Sequence, residues 1–268
     1  MKYKFEGKTV VITGASSGIG REMASRLVTK YGCTVYGIAR REALLLELAE
    51  ALGERFIPYP MDATSKDSWQ GLADKLNGDG VIVDTLINCA GMLPKFASVE
   101  NSSFQELQMA MEINFYAQIY ATEAILPIIK KSSQGGIISF SSSSALCPFA
   151  GVSAYCASKS ASRAYFECMA RENKQVYIAT IMNGFVKTDI MKNQDATERD
   201  ERIISKVCAD LNKTVNKIMK KIRRKRSRII VGADAHLMNF MYKLFPRLGP
   251  KIITKVLKKA RLEIFKEI

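Results

Sequence analysis

Tyr155 and Lys159 stand four residues apart in the run Ser153 to Ala161, which reads as a helix. Residues at that spacing share a helix face, so the phenol and the ammonium can be aimed at one point. A tyrosine ordinarily titrates near pH ~10. An ammonium held beside it favours the phenolate and is expected to lower that value. The pair would then be a proton donor to a substrate oxygen near neutral pH. The same spacing also arises in a surface pair on an ordinary helix, so the elements upstream decide between the two readings.

Lys8 to Thr13 reads as a short buried strand, Gly14-Ala15-Ser16-Ser17-Gly18-Ile19-Gly20 follows at once, and an amphipathic stretch runs to about Lys30. In this strand, Gly-rich turn and helix, the glycines let the backbone approach a pyrophosphate, and the helix N-terminus supplies free N–H groups. Gly14, Ser16, Ser17, Gly18, Ile19 and Gly20 are therefore candidate cofactor contacts. Cys33 to Ala39 reads as the second strand and runs into Arg40-Arg41. A carboxylate there would accept from an adenosine ribose 2′-hydroxyl. Two guanidiniums and no acid suit a 2′-phosphate, which means NADP(H) rather than NAD. The alternative is that Arg40 and Arg41 are solvated openers of the next helix.

A helix from Glu42 to Leu52 and a strand from Arg55 to Tyr59 lead to Met61-Asp62-Ala63-Thr64, where Asp62, beside Ala63, is placed to accept from an adenine amino group. A helix over 65–77 precedes the strand Thr85 to Asn88, and the small residues Cys89-Ala90-Gly91 then let a cofactor lie close to the chain. Strands and helices in this alternation build an α/β protein with a parallel, doubly wound sheet. A long helix is expected from about Ser103 to Lys131, with Phe104, Leu107, Met111 and Phe115 on one face. Asn114 lies in this apolar stretch and needs partners if buried. It reads as a structural bond between helix and sheet, as a polar relay behind Lys159, or as both. Gly135 to Phe140 reads as the fifth strand and ends in four serines, 141–144. Ligands bind beyond the carboxyl ends of such strands, so one serine should face the cleft. After a sixth strand, Val176 to Met182, come Asn183-Gly184-Phe185-Val186-Lys187-Thr188. Thr188 is placed to bond a cofactor amide or phosphate, and residues 189–200 are expected as a mobile lobe over the substrate. Pro94, Phe96, Phe149, Phe185 and Met191 are candidates for an apolar pocket wall.

Together these residues resemble a classical short-chain dehydrogenase/reductase. Thr13 to Gly20 is similar to that family's cofactor motif, and Asn88-Cys89-Ala90-Gly91 to its Asn-Asn-Ala-Gly, with Cys89 replacing the second asparagine. Asn114, Ser142, Tyr155 and Lys159 match its catalytic tetrad, Ser142 being the serine at the family's spacing before Tyr155. The resemblance implies a Rossmann-type, three-layer fold of about seven parallel strands, with residues 1–232 as the catalytic domain and 233–268 as a basic helical extension. It implies reversible hydride transfer between NADPH and a ketone or aldehyde. Ser142 would bond the carbonyl oxygen and Tyr155 would protonate it. Lys159 would lower the Tyr155 pKa and bind ribose hydroxyls, and Asn114 would hold a proton-supplying water. Asn88, Ala90, Gly91, Gly184, Val186 and Thr188 join the cofactor set. Asn183 departs from the family's usual proline before Gly184, and Ser17 from the basic residue of one NADP-using subgroup, so the NADP(H) assignment rests on Ala39-Arg40.

Composition sets outer limits. His236 is the single histidine, which argues against a Ser-His-Asp hydrolase and a histidine-rich zinc site. Six cysteines lack metal-type spacing, and the N-terminal stretch lacks the apolar core of a signal peptide, so reduced thiols and a cytoplasmic location are expected. No apolar run approaches the ~18 residues of a spanning helix. The net charge is +14, and residues 201–268 carry 19 Lys/Arg against 5 Asp/Glu. Two apolar stripes interleave with these cations: Val215, Ile218, Met219 and Ile222, then Leu248, Ile252, Ile253, Val256, Leu257, Ala260 and Ile264. They either cover the domain's own core or a subunit partner, in a dimer or tetramer, or attach peripherally to an anionic membrane surface. No sequence-reading motif accompanies the charge, so no specific nucleic-acid partner is expected. A dinucleotide-binding scaffold without catalysis is the rival from another class.

Overall fold

Strand β1 (Thr9–Thr13) divides its side chains between two cores: Val10 and Ile12 pack on one face of the sheet and Val11 on the other. A strand covered on both sides reads as a nearly continuous apolar run, as Val10 to Ile12 do here between two threonines. The computed structural model, which describes residues 2–266, repeats this logic in six more strands. These are β2 (Thr34–Ala39), β3 (Phe56–Pro60), β4 (Thr85–Asn88), β5 (Gly136–Phe140), β6 (Tyr177–Asn183) and β7 (Arg228–Val231). All pair in parallel in the order β3-β2-β1-β4-β5-β6-β7. Helices α1 (Gly18–Tyr31), α2 (Glu42–Leu52) and α8 (Leu211–Arg223) cover one face; α3 (Lys66–Gly78), α5 (Ala117–Ile129) and α6 (Ser153–Glu172) cover the other. This is a Rossmann-like α/β fold. The strand order reverses between β1 and β4, which opens a crevice at their carboxyl ends, where such sheets bind ligands.

The long helix expected from Ser103 to Lys131 is not continuous. It runs as α4 (Phe104–Met111), a π-helical turn over Glu112–Tyr116, and α5. Phe104, expected on the apolar face, is exposed at the first position of α4. A π turn skips one helical partner and is frequent at functional sites. Here it holds Asn114, whose carbonyl accepts from Gln118 Nε2 at 2.7 Å.

The late helices cover the domain's own core, wholly in α8 and in part beyond it. In α8, Val215, Ile218, Met219 and Ile222 belong to the first core, with Lys213, Lys217 and Lys220 exposed. A third core lies beyond the sheet's edge. It joins Leu93, Phe96, Phe149 and Val152 to Met238 of α9 (Ala233–Leu244), to Ile253 and Leu257 of α10 (Leu248–Lys259), and to Leu262 and Ile264. Residues 189–200 are tied into this core rather than free as a mobile lobe. Gln194 is buried, accepting from Phe96 N at 2.9 Å and donating to the Pro94 carbonyl at 3.0 Å. Asp200, in the first turn of α7 (Glu198–Val207) and also buried, accepts from Glu263 N at 3.1 Å. No helix among the described residues is long and apolar enough to cross a membrane.

Candidate active site

The Thr13 hydroxyl, at the end of β1, accepts from Cys89 N and Ala90 N at 3.0 Å each. This bond fastens the turn after β4 to the turn after β1. Gly20 passes beneath Gly14 so closely that a Cβ on it would lie 2.3 Å from the Gly14 carbonyl oxygen. Only glycine allows that approach, and it aims the start of α1 into the crevice. Ser17 precedes α1 without bonding its N–H groups, which stay available to an anion.

The crevice is a cleft of about 420 Å³ that continues into a second of about 380 Å³. Gly14, Ser17, Arg41, Ala90 and Gly91 line both. The second adds Ser16, Arg40, Asp62 and Ala63. Arg41 Nη2 donates to Ser16 Oγ at 2.9 Å and to Ser17 Oγ at 2.8 Å, so this arginine braces the Gly-rich turn. Arg40 is exposed at the cleft and makes no hydrogen bond or ion pair among the described residues. Asp62 Oδ1 accepts from Thr64 N at 2.9 Å, and Trp69 Nε1 donates to the Ala63 carbonyl at 2.9 Å, which fixes the loop floor.

At the other end the first cleft holds Ser142, Tyr155 and Lys159, with Gly18, Ile19 and Gly20 opposite and Gly184, Val186 and Thr188 at the side. Lys159 is buried, and its Nζ donates to the Phe140 carbonyl at 3.0 Å. It stands 5.8 Å from the centre of the Tyr155 ring. Burial dominates both groups. It pushes the Tyr155 phenol up to about 12 despite an opposing pull from the Ser142 hydroxyl. It pushes Lys159 down to about 8. The expected lowering of the Tyr155 pKa by Lys159 is therefore not what this geometry gives. Both groups sit where water is scarce, and each favours its neutral form. At neutral pH the phenol keeps its proton and the ammonium its charge.

Asn114 and Asn88 do not line the cleft. Asn114 is fully buried behind it: Oδ1 accepts from Met92 N at 2.8 Å, and Nδ2 donates to the Met92 carbonyl at 2.9 Å and to Ser158 Oγ at 3.0 Å. A Cβ on Gly91 would lie 3.0 Å from Asn114 Oδ1 and 3.1 Å from Lys159 Nζ, so both side chains crowd against that glycine. Asn88 is buried beneath β4's end, its amide turned to Gln118 O and Thr122 Oγ1 at 3.4 Å each. Among the apolar candidates, Phe96, Phe149, Phe185 and Met191 line the cleft and Pro94 does not. Two contributors escaped the sequence reading. Gln118 bonds both Asn114 O and Phe140 O, the carbonyl that also receives Lys159. Asp234 accepts from Phe185 N at 2.7 Å and so pins the turn after β6. The spacing Asn114 to Gln118 within an apolar helix was a visible signal for the first. Asp234 carried none.

The family model described as short chain dehydrogenase matches residues 8–199. The chain belongs to the short-chain dehydrogenase family. It is 26% identical to the putative oxidoreductase SadH of Mycobacterium tuberculosis over 253 residues, 90% of this chain and 91% of that protein. It is 30% identical to a benzil reductase ((S)-benzoin forming) of Saccharomyces cerevisiae over 196 residues, 70% of this chain and 74% of the relative. A short-chain dehydrogenase from Streptomyces avermitilis has the same fold, with a TM-score of 0.79 at 24% identity over 95% of this chain and 98% of the other. Two Burkholderia structures also share it. One, from B. cenocepacia, is in complex with NADP, with a TM-score of 0.77 at 20% identity over 91% and 96% of the two chains. The other, from B. phymatum, is in complex with NAD, with a TM-score of 0.78 at 21% identity over 90% and 96%. As a short-chain dehydrogenase, the protein is an oxidoreductase of a family that acts on small molecules.

Proposed function

We propose that this short-chain dehydrogenase is an NADPH-dependent reductase of an apolar ketone or aldehyde. The observation that carries this is the convergence of Ser142, Tyr155 and Lys159 on the cleft that the Gly-rich turn opens into. The bare backbone of that turn and the uncapped start of α1 fit a dinucleotide pyrophosphate. The cofactor, when bound, supplies the hydride. Arg40, free at the adenosine end and with no acid beside it, suits a 2′-phosphate. Asp62 and Ala63 would bound the adenine, and Thr188, Val186 and Gly184 the nicotinamide side.

Ser142 donates a hydrogen bond to the carbonyl oxygen and stabilises the charge that grows there. Tyr155, protonated at neutral pH because it is buried, gives its proton to that oxygen. Lys159 holds ribose hydroxyls, and its positive charge stabilises the tyrosinate left behind. Asn114 keeps the Met92 backbone and Ser158, the neighbour of Lys159, in place from behind Gly91 rather than touching substrate. Phe96, Phe149, Phe185 and Met191 favour an apolar substrate. This reading makes the enzyme cytoplasmic, with residues 1–232 as the catalytic unit and 233–268 as an extension; Met1 and residues 267–268 lie outside the described residues. Exposed Met109, Tyr116 and Tyr165, on and beside the helices that carry Asn114 and Tyr155, suit pairing into a dimer or tetramer.

Turnover of NADPH with a panel of aryl and alkyl ketones tests this. Tyr155→Phe should abolish turnover and retain NADPH binding. A Tyr155→Phe variant as active as wild type would return the chain to a dinucleotide-binding scaffold.

A further inference from the structure

Helices α9 and α10 form a hairpin with two unlike sides. On the inner side, Met238, Ile253 and Leu257 enter the third core with Phe96 and Phe149, which also line the cleft. Thr254 Oγ1 accepts from Ala150 N at 3.2 Å and ties α10 to the loop before α6. On the outer side, Leu237, Phe240 and Leu244 recur at helical spacing along α9, and Leu248, Ile252 and Val256 along α10. All six are exposed, Phe240 at 58% and Val256 at 61%, and Phe245 at the junction is exposed with them. Residues at these spacings share a face, so each helix presents a continuous apolar stripe. Apolar surface gathered in this way and rimmed by charge marks an interaction site.

The rim selects the partner. Between residues 235 and 262 the chain has seven Lys or Arg and no Asp or Glu. None of the seven forms an ion pair among the described residues. A second copy meeting the same face across a twofold axis would set one cationic rim against the other. Nucleic acid would take the cations and leave the apolar stripes in water. An anionic bilayer satisfies both, since leucines and phenylalanines enter the acyl boundary while lysines reach the headgroup phosphates.

We propose that the outer face of α9 and α10 docks on an anionic lipid bilayer. The inner face of the same hairpin backs the apolar wall of the cleft, so docking sets the cleft one helix layer from the membrane. A lipophilic carbonyl compound would then reach the site from the bilayer; this delivery, unlike the docking itself, rests on the proposed reductase activity.

The test is flotation of the full chain with vesicles of phosphatidylcholine alone and of phosphatidylcholine mixed with phosphatidylglycerol. Wild type should float with the anionic vesicles, and high salt should weaken binding. Phe240→Ser combined with Val256→Ser should lower the bound fraction at least about tenfold, as should Lys251→Glu combined with Lys255→Glu, which leaves the apolar stripes intact. Both variants should keep wild-type NADPH affinity and melting temperature. Failure of wild type to float, or variants that bind as wild type does, would overturn the docking. So would light scattering that shows a wild-type dimer dissolved by the Phe240/Val256 pair in a protein that binds no vesicles; the face would then belong to self-association. NADPH binding and ketone turnover are measured without vesicles, so the docking and the reductase reading fail separately.

Discussion

The Asp234 carboxylate stands where a side chain on Gly184 would be: a Cβ on that glycine would lie 2.0 Å from Oδ1, while Oδ2 accepts the Phe185 N–H at 2.7 Å. Asp234 belongs to the first turn of α9, beyond the residues that the family model matches. It holds by hydrogen bonding the turn that follows Asn183, the last residue of β6. A bond to a charged acceptor contributes about 1.5–3 kcal/mol. Asp234→Ala should therefore weaken NADPH binding on the order of tenfold and lower the melting temperature, while Asp234→Asn should lose less. Titration of cofactor fluorescence measures this, and an unchanged affinity in Asp234→Ala would sink the assignment.

Arg40 and Arg41 are neighbours with separable duties. Arg41 braces Ser16 and Ser17, part of the turn that any dinucleotide would meet. Arg40 lines the second cleft, the proposed adenosine end, with no hydrogen bond or ion pair among the described residues. Arg41→Ala should weaken NADPH and NADH alike. Arg40→Ala should weaken NADPH alone, by about tenfold or more, since it removes a charge-assisted bond to phosphate. Parallel titrations with both cofactors decide it; equal losses in Arg40→Ala would remove the NADP(H) preference.

Much of this was legible beforehand because it was local. Strand, Gly-rich turn and helix follow one another in sequence, and the apolar runs of β1, β4 and β5 announce strands buried on both faces. What the sequence could not show was set by contacts between distant segments. The placing of Asn114 depends on Met92 and Ser158, which lie 22 and 44 residues away. The anchoring of residues 189–200 depends on Pro94, Phe96 and Glu263. Burial, which is a property of the whole fold, reversed the expected direction at Tyr155, because a helix-face argument counts the neighbouring charge but not the lost water.

The shifts at Tyr155 and Lys159 fix the pH behaviour. Lys159 falls to about 8 and Tyr155 rises to about 12. Below pH 8 the lysine is charged and the phenol protonated, which is the state reduction needs. Reduction should hold steady below pH 8 and decline above it as Lys159 loses its charge, with Tyr155 still protonated. Lys159→Arg, whose guanidinium stays charged, should move that decline upward. A midpoint that stays near 8 in Lys159→Arg would assign the decline to another group. Stability follows the same shift. The native lysine binds its proton less well than the unfolded one, so Lys159 by itself adds stability between pH 8 and about 10.5, while the buried cysteines, whose values burial raises, oppose it above about pH 9. Lys159→Met should therefore stabilise by up to about 3 kcal/mol below pH 8, less the lost bond to Phe140 O, and the gain should fade across that window. Thermal melts at pH 7 and pH 10 compare the two.

Gln118 joins four buried partners. Its Nε2 donates to Asn114 O at 2.7 Å and to Phe140 O at 3.3 Å, and its Oε1 accepts from Ser139 Oγ at 2.6 Å and from Ser162 Oγ at 3.3 Å. Gln118→Leu keeps a similar volume and removes all four bonds. The Asn114 carbonyl would lose this side-chain donor. Each buried polar group so abandoned costs about 1–3 kcal/mol, although some find new partners. A net loss of about 3 kcal/mol is expected by urea denaturation. Adding Ser139→Ala to Gln118→Leu should recover part of it, because the hydroxyl left unpaired is then gone. Additive losses in the double variant would show that Ser139 and Gln118 act independently.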